Sequence, residues 1–330
     1  MNRSILLVKR PTGMPSLKDF QIVKREIPTI QDGEVLLKTK YLSVDPFMRG
    51  KMRDRKSYTP PYQLNEPITC SGIGEVIESK NPNFQVGDLV SAVMSWAEYN
   101  KGDNQTVRKL NPDIPITAAQ GVLGMTGRTA YFGLLYKGQP KAGETVVISG
   151  AAGAVGSVVG QIARLKGCRV VGICGSDEKK QYLIEELGFN AVVNYKTENV
   201  REALQQYCPN GIDIYFDNVG GDITDQVISH INFGARIVIC GAISEYNFAE
   251  ASVGPRLFPI LLNRSASAHG FIVSDFDSLR QEADNQLQEW LIQGKIKSKE
   301  TIIEGFENTV PAFISLFEGG NIGKMIVQVH

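Results

Sequence analysis

Histidine and paired cysteine are scarce in this chain. It holds three histidines and five cysteines in 330 residues, and no two cysteines form a CxxC pair. Cys70, Cys168, Cys174, Cys208 and Cys240 lie far apart, so neither a four-cysteine lobe nor a Cys/His/carboxylate cluster of zinc-ligand spacing can be drawn. His269 sits in an apolar run, His230 on a helical pattern and His330 at the end, so no catalytic metal is expected. An odd, dispersed set of thiols argues against a disulfide framework and for a reducing compartment, which makes the cytoplasm the expected location. Neither sign of charge is in excess: Lys+Arg and Asp+Glu are both 35. Nothing therefore points to nucleic acid or to an anionic membrane surface. Long apolar runs are missing too. The N-terminal run Ile5 to Val8 is too short for a signal-peptide core. The stretch from Thr145 to Ala163 is broken by Gly150, Gly153, Gly156 and Gly160, so no membrane span is expected.

What is present is ordinary globular material, 42% hydrophobic and 21% charged, enough for a sizeable core and for two domains. Residues 1 to about 120 read as short strands between turns, among them 34–44, 72–79 and the Gly-Asp turn and strand of 86–93. The character changes near Pro115. Residues 116–136 read as helical, interrupted by glycines, and then β and α patterns alternate. Strands are expected at 145–149, 169–174, 191–195, 213–221, 236–241 and 267–273, with helices over about 154–166, 178–188, 200–207 and 223–231. Val155, Val158, Val159, Ile162 and Ala163 put one apolar face on the first of these helices. Such alternation predicts a doubly wound parallel sheet with helices on both faces. A helix over about 278–293 follows. The tail, TIIEGF, a short helix over 308–318 and KMIVQVH, breaks the pattern and is expected to return to the first domain.

The turn Ala151-Ala152-Gly153-Ala154-Val155-Gly156 is an AxGxxG variant of the dinucleotide fingerprint, set between a strand and a helix. The middle glycine lets the backbone approach a pyrophosphate, the last lets helix and strand pack closely, and the helix start offers unpaired N–H groups. The second strand ends at Cys174-Gly175-Ser176, with Asp177, Lys179 and Lys180 beyond. An NAD site holds the ribose 2′-hydroxyl with a carboxylate at this point. A hydroxyl and an ammonium suit a 2′-phosphate instead, so NADPH is the expected cofactor, held by Ser176 and Lys179. The alternative is that Ser176 only caps the helix. Further on, DNVGG (217–221) and CGAISEYN (240–247) close two strands where ligands of αβ sheets bind. Asn218 and Tyr246 would then face the cofactor; the alternative is that each segment is only turn chemistry.

The stretches YLSVDPFMRG (41–50), GMTGRTAYFGL (124–134), 151–179, YFDNVGG (215–221), CGAISEYN (240–247) and EGFENTVPAF (304–313) together resemble the zinc-independent medium-chain dehydrogenase/reductases. Within them they resemble the leukotriene B4 12-hydroxydehydrogenase, prostaglandin reductase and alkenal double-bond reductase group. The resemblance implies a mostly β, GroES-like catalytic domain over 1–122, completed by 298–330, and a Rossmann domain over 123–297. It implies a homodimer. It also implies that Gly153, Ala154, Val155 and Gly156 touch the pyrophosphate and that Lys179 and Tyr195 hold the 2′-phosphate end. The rest of the cofactor would be lined by Asn218, the loop Cys240, Gly241, Ala242, Ile243, Ser244 and Tyr246, then Phe271, Ile272 and Val273, and Asn321. The group often has tyrosine where this chain has Phe47 in DPFMR, so any role of that hydroxyl is missing here.

These features together suggest NADPH-dependent reduction of the carbon–carbon double bond of an α,β-unsaturated aldehyde or ketone. Hydride would arrive at the β-carbon, and Tyr246 would donate to the carbonyl oxygen as negative charge develops on it. Substrate-pocket side chains are expected from loops 47–62, 94–97 and 244–262. A zinc-free quinone reductase or alcohol oxidoreductase, and a non-catalytic NADPH-binding protein, stay open as alternatives.

Overall fold

The computed structural model describes residues 1–250 and 252–330. The chain divides into two units, Met1–Gln120 with Tyr246–Ala249 and Glu300–His330, and Gly121–Glu245 with Glu250–Lys299. The first unit is built on strands β1 (Asn2–Leu7), β2 (Phe20–Arg25), β3 (Val35–Ser43), β4 (Thr69–Ser79), β5 (Leu89–Ser95), β6 (Tyr99–Gly102) and β7 (Val107–Lys109). β1 and β2 form an antiparallel pair, while β3, β4, β5 and β7 run side by side and β6 joins β3. β5 alternates buried and more exposed residues, as a strand with one covered face does, whereas β1 and β3 are buried over most of their length. Trp96 is fully buried and sits at the centre of the core.

The second unit carries the parallel sheet: β8 (Thr145–Ile148), β9 (Arg169–Cys174), β10 (Ala191–Asn194), β11 (Ile212–Asp217), β12 (Ile231–Ile239) and β13 (Ser267–Gly270). The spatial order is β10-β9-β8-β11-β12-β13, every pair parallel. Counted from β8 this is the 3-2-1-4-5-6 order of a Rossmann sheet, with its switch point between β8 and β11. All four residues of β8 are buried, because a central parallel strand is covered on both faces. The helix Gly156–Leu165 buries Val158, Val159, Ile162 and Ala163, the face its spacing predicts.

The tail supplies β14 (Glu300–Glu304) and β15 (Lys324–Gln328), which are parallel to each other, and β15 pairs antiparallel with β3. Phe313, from the tail helix Thr309–Ser315, stacks edge-on against Trp96 at 5.9 Å. Lys324 is almost fully buried, pairs with Asp45 at 3.2 Å and donates to the carbonyls of Val44 and Met325 at 2.8 Å. Asp45 also accepts from Ser43 Oγ. The tail is thus woven into the core of the first unit through both packing and a satisfied buried charge.

Three expectations shift. The strand expected over 267–273 ends at Gly270, and a 3₁₀ turn runs over Val273–Leu279. Phe271 leaves the sheet because its ring packs over Gly133, where an added Cβ would lie 2.6 Å from its tip. The single helix expected over 178–188 is an α turn, Asp177–Gln181, followed by a π turn, Tyr182–Glu186. Within the expected loop 244–262 a helix begins, Leu257–Arg264. Among the described residues no helix is long and apolar enough to cross a membrane.

Candidate functional site

The carboxyl ends of the parallel strands assemble most of the candidate residues along one edge of the second unit. After β8 the chain turns through Gly150 to Gly156 and enters the helix Gly156–Leu165, where the Ser157 N–H donates to the Gly153 carbonyl and those of Val158 and Val159 donate to Val155. The turn is as tight as the motif implies. A Cβ on Gly156 would stand 2.5 Å from the Gly150 carbonyl oxygen and 2.8 Å from Ala151 Cα, both backbone atoms that cannot swing aside. Gly153, Ala154, Val155 and Gly156 therefore form a backbone cradle at a helix start, the geometry that receives an anionic pyrophosphate.

Beside it, at the switch point, a buried hydrogen-bond cluster locks β8 to β11. Asp217 accepts from Ser149 Oγ at 2.8 Å, Tyr215 OH at 2.9 Å, Thr224 Oγ1 at 2.6 Å and the N–H groups of Val219 and Gly220 at 2.9 and 3.0 Å. Burial and the Asp217 charge hold the Tyr215 phenol well above its ordinary value, so it stays protonated and donates to Asp217. Asn218 is held by the same cluster. Its N–H donates to Ser149 Oγ at 2.9 Å and its Nδ2 to the Ser149 carbonyl at 2.8 Å. This network was not foreseen from the sequence, although Ser149 and Asp217 flank the two glycine turns.

The residues expected at a 2′-phosphate come from the ends of two strands, β9 and β10. Ser176 caps the helix Asp177–Gln181, its Oγ accepting from the Lys179 N–H at 3.3 Å, so the hydroxyl proton stays available to an anion. Asp177, the carboxylate that follows Ser176, accepts from Asn194 Nδ2 at 2.8 Å. Lys180 is paired with Glu198 at 2.8 Å. Lys179 is half-buried, and burial lowers its ammonium below the ordinary lysine value, with Lys196 acting in the same direction. Tyr195 lies over Gly175, where a Cβ would be 2.9 Å from the tyrosine ring and hydroxyl. Ser176, Lys179 and Tyr195 are therefore neighbours through Gly175. Lys196, which adds a second cation beside Lys179, was not singled out from the sequence.

The loop after β12 is zipped to the loop after β11. Cys240 and Gly241 donate to the Asp217 carbonyl at 2.9 and 3.1 Å, Ile243 to Asn218 at 3.3 Å and Ser244 to Val219 at 3.1 Å. Ala242 follows this course within the same turn. Burial and the Asp217 charge push the Cys240 thiol up to about 12, which favours the neutral thiol. Phe271, Ile272 and Val273 close the series after β13, and the Ile272 N–H donates to Asp275 at 3.1 Å. Two candidates fall in the first unit instead. Tyr246 is half-buried and its carbonyl accepts from Arg53 at 2.8 Å. Asn321 donates to the Gly323 carbonyl at 2.7 Å, at the entry to β15. Among the described residues no three His, Cys, Asp or Glu side chains gather as metal ligands.

Residues 3–110 match a family model described as the N-terminal domain of oxidoreductase, and residues 154–289 one described as zinc-binding dehydrogenase. The putative NADP-dependent oxidoreductase YfmJ of Bacillus subtilis (strain 168) is 50% identical, over 99% of this chain and 97% of its own. The NADPH-dependent curcumin reductase of Escherichia coli (strain K12) is 41% identical over 99% and 97%. Prostaglandin reductase 1 of Rattus norvegicus is 43% identical over 98% and 97%. The crystal structure of CurA in complex with NADPH from Vibrio vulnificus superimposes with a TM-score of 0.95 at 43% identity, over 99% of both chains. With a Rossmann sheet, a separate antiparallel unit and near-full-length likeness to these reductases, the chain belongs to the medium-chain dehydrogenase/reductase family, in the group of prostaglandin reductase 1 and curcumin reductase.

Proposed function

We propose that this chain reduces the carbon–carbon double bond of α,β-unsaturated aldehydes and ketones with NADPH. The observation that carries the reading is likeness over almost the whole chain to an NADPH-dependent curcumin reductase and to prostaglandin reductase 1. Curcumin bears double bonds conjugated to carbonyls, which is the chemistry of an activated alkene. The residues fit the cofactor. Gly156 leaves a cradle that any side chain would fill, and Ser176, Lys179 and Tyr195, at the ends of β9 and β10, would meet a 2′-phosphate there. When bound, NADPH supplies the hydride.

The chain's own residues do the rest. Gly153 to Gly156 hold the pyrophosphate, and Lys179 and Ser176 fix the 2′-phosphate. Asn218, the 240–244 loop, Phe271 to Val273 and Asn321 bind the remainder. Tyr246 donates to the substrate carbonyl oxygen, which gathers negative charge as the β-carbon is reduced. A single such donor is worth about 3 kcal/mol where water is excluded. The chain is an enzyme of two domains in this reading, residues 1–122 with 298–330 and residues 123–297. Its five free thiols fit a reducing, cytoplasmic setting. A homodimer is part of the same proposal. β13 is the last strand of its sheet, and Phe258 and Leu262 on the nearby helix Leu257–Arg264 are each 81% exposed.

The test is NADPH consumption by the purified protein with alkenals, enones, quinones and simple aldehydes side by side. Fast turnover on enones and alkenals is expected; turnover on quinones alone would replace the reading with a quinone reductase. Tyr246→Phe should lower kcat on an enone about 100-fold with NADPH affinity retained. Unchanged kinetics would remove Tyr246 from the reaction. Sedimentation would report the dimer.

A further inference from the structure

The segment 246–249 belongs to the first unit although it directly follows the cofactor loop in the chain. Two arginines hold it there. Arg53 Nη2 donates to the carbonyls of both Tyr246 and Phe248, at 2.8 and 2.6 Å. Arg49 Nε donates to the Asn247 side chain at 3.0 Å. Arg49 is completely buried, and its Nη2 also ties down the carbonyls of Pro11 and Gly13 at 3.0 and 2.9 Å. Its Nη1 finds no partner among the described residues. Three successive residues are gripped in this way.

The arrangement makes little sense as a stabilising ion pair. Residues 246–249 are Tyr, Asn, Phe and Ala, so both guanidiniums face neutral groups. Arg53 and Arg55 crowd the buried Arg49 with like charge, which Asp19 offsets in part. Burying a charge this way is costly unless its hydrogen bonds are made. What the geometry secures is the course of the backbone. Residues 240–244 are bonded to the loop after β11, and residues 246–248 to the arginines. Tyr246 is the first residue past the change of hands.

We propose that Arg53, backed by Arg49, is a positioning residue for the reduction: its guanidinium holds residues 246–248 and thereby sets where Tyr246 presents its hydroxyl. This rests on Tyr246 acting as the donor proposed above. Arg53 itself touches neither substrate nor cofactor in this role.

The test is a double-mutant cycle on the full-length enzyme with benzylideneacetone as the enone, joined to hydrogen exchange of residues 244–250 with NADPH and no enone. Arg53→Ala should lower kcat roughly 10- to 100-fold, because small displacements of a reacting group are that costly, and leave KM and NADPH affinity nearly unchanged. Arg53→Lys, which keeps the charge and a donor, should fall between. In a Tyr246→Phe background Arg53→Ala should cost little more, since the two act through one hydroxyl. Exchange over 244–250 should quicken in Arg53→Ala. An equal loss in both backgrounds, or unchanged exchange, would overturn the proposal. So would quickened exchange with kcat intact. A wild-type enzyme inert to every enone would instead sink the reductase reading, and the exchange arm would then decide the clamp alone.

Discussion

The two ends of the candidate cofactor site are built on opposite plans. At Gly150 to Gly156 the proposed binding surface is backbone, and Gly156 has no room for a side chain. At Gly175 to Lys179 and Tyr195 the surface is side chains, brought together from the ends of β9 and β10. A backbone cradle recognises what every dinucleotide shares, the pyrophosphate. A side-chain cluster recognises what one dinucleotide has and the other lacks. If the proposed site is correct, affinity and cofactor choice reside in separate places about a strand apart, and substitutions should separate them.

The largest effect should come from the backbone end. Gly156→Val forces a branched side chain against the Gly150 carbonyl and Ala151 Cα. We expect a loss of about 3 kcal/mol in unfolding free energy, and weakened binding of NADPH and NADH alike, measured by denaturant unfolding and by fluorescence titration with both. A selective loss of NADPH would break the division. Lys179→Ala should come next. It removes a charge-assisted contact of about 2 kcal/mol, so NADPH should bind roughly 30-fold more weakly while NADH is nearly unaffected.

A smaller effect should appear with pH. The phosphate gains its second charge above about pH 6, and the Lys179 amine must stay protonated to meet it. Burial lowers the Lys179 pKa, so the unbound site loses its charge sooner than an ordinary lysine as pH rises. The ratio of NADPH to NADH affinity should be greatest between those limits and fall on both sides, and it should flatten on the alkaline side in Lys179→Ala. The smallest effect should be that of Ser176→Ala. The helix it caps is only five residues long and largely solvated, so stability should drop by about 0.5 kcal/mol. The preference for NADPH should shrink further, because the same hydroxyl can donate to the phosphate. Loss of stability with no change in preference would reduce Ser176 to a cap.

The same contrast explains how much could be read from the residues. The glycine turn was legible because its demand is local: a strand, a tight turn and a helix start within a dozen positions of sequence. The alternation from β8 to β13 was legible for the same reason, since buried strands and amphipathic helices carry their own periods. The meaning of Asp177 was not. Whether that carboxylate faces a ribose depends on Asn194, 17 positions away and on another strand. Phe271 to Val273 looked like a continuation of β13 because they are apolar and β-prone, but a ring vacancy over Gly133 drew Phe271 out of the sheet. The helix Leu257–Arg264 was hidden because Pro259 lies within it and apolar residues stand on both faces, Leu257, Ile260 and Leu261 against the core and Phe258 and Leu262 exposed.

The sequence by itself determined the doubly wound sheet, the place of the pyrophosphate turn and the break in pattern that sends the tail elsewhere, because these follow from short-range periodicity and from where a side chain cannot fit. Only the tertiary structure decided which side chains meet. It set the Ser149–Asp217 lock at the switch point, the engagement of Asp177 by Asn194, the burial of Lys324 against Asp45, and the grip of Arg49 and Arg53 on the residues around Tyr246. The last of these joins residues almost 200 positions apart, and no local pattern in a single chain encodes a partner at that distance.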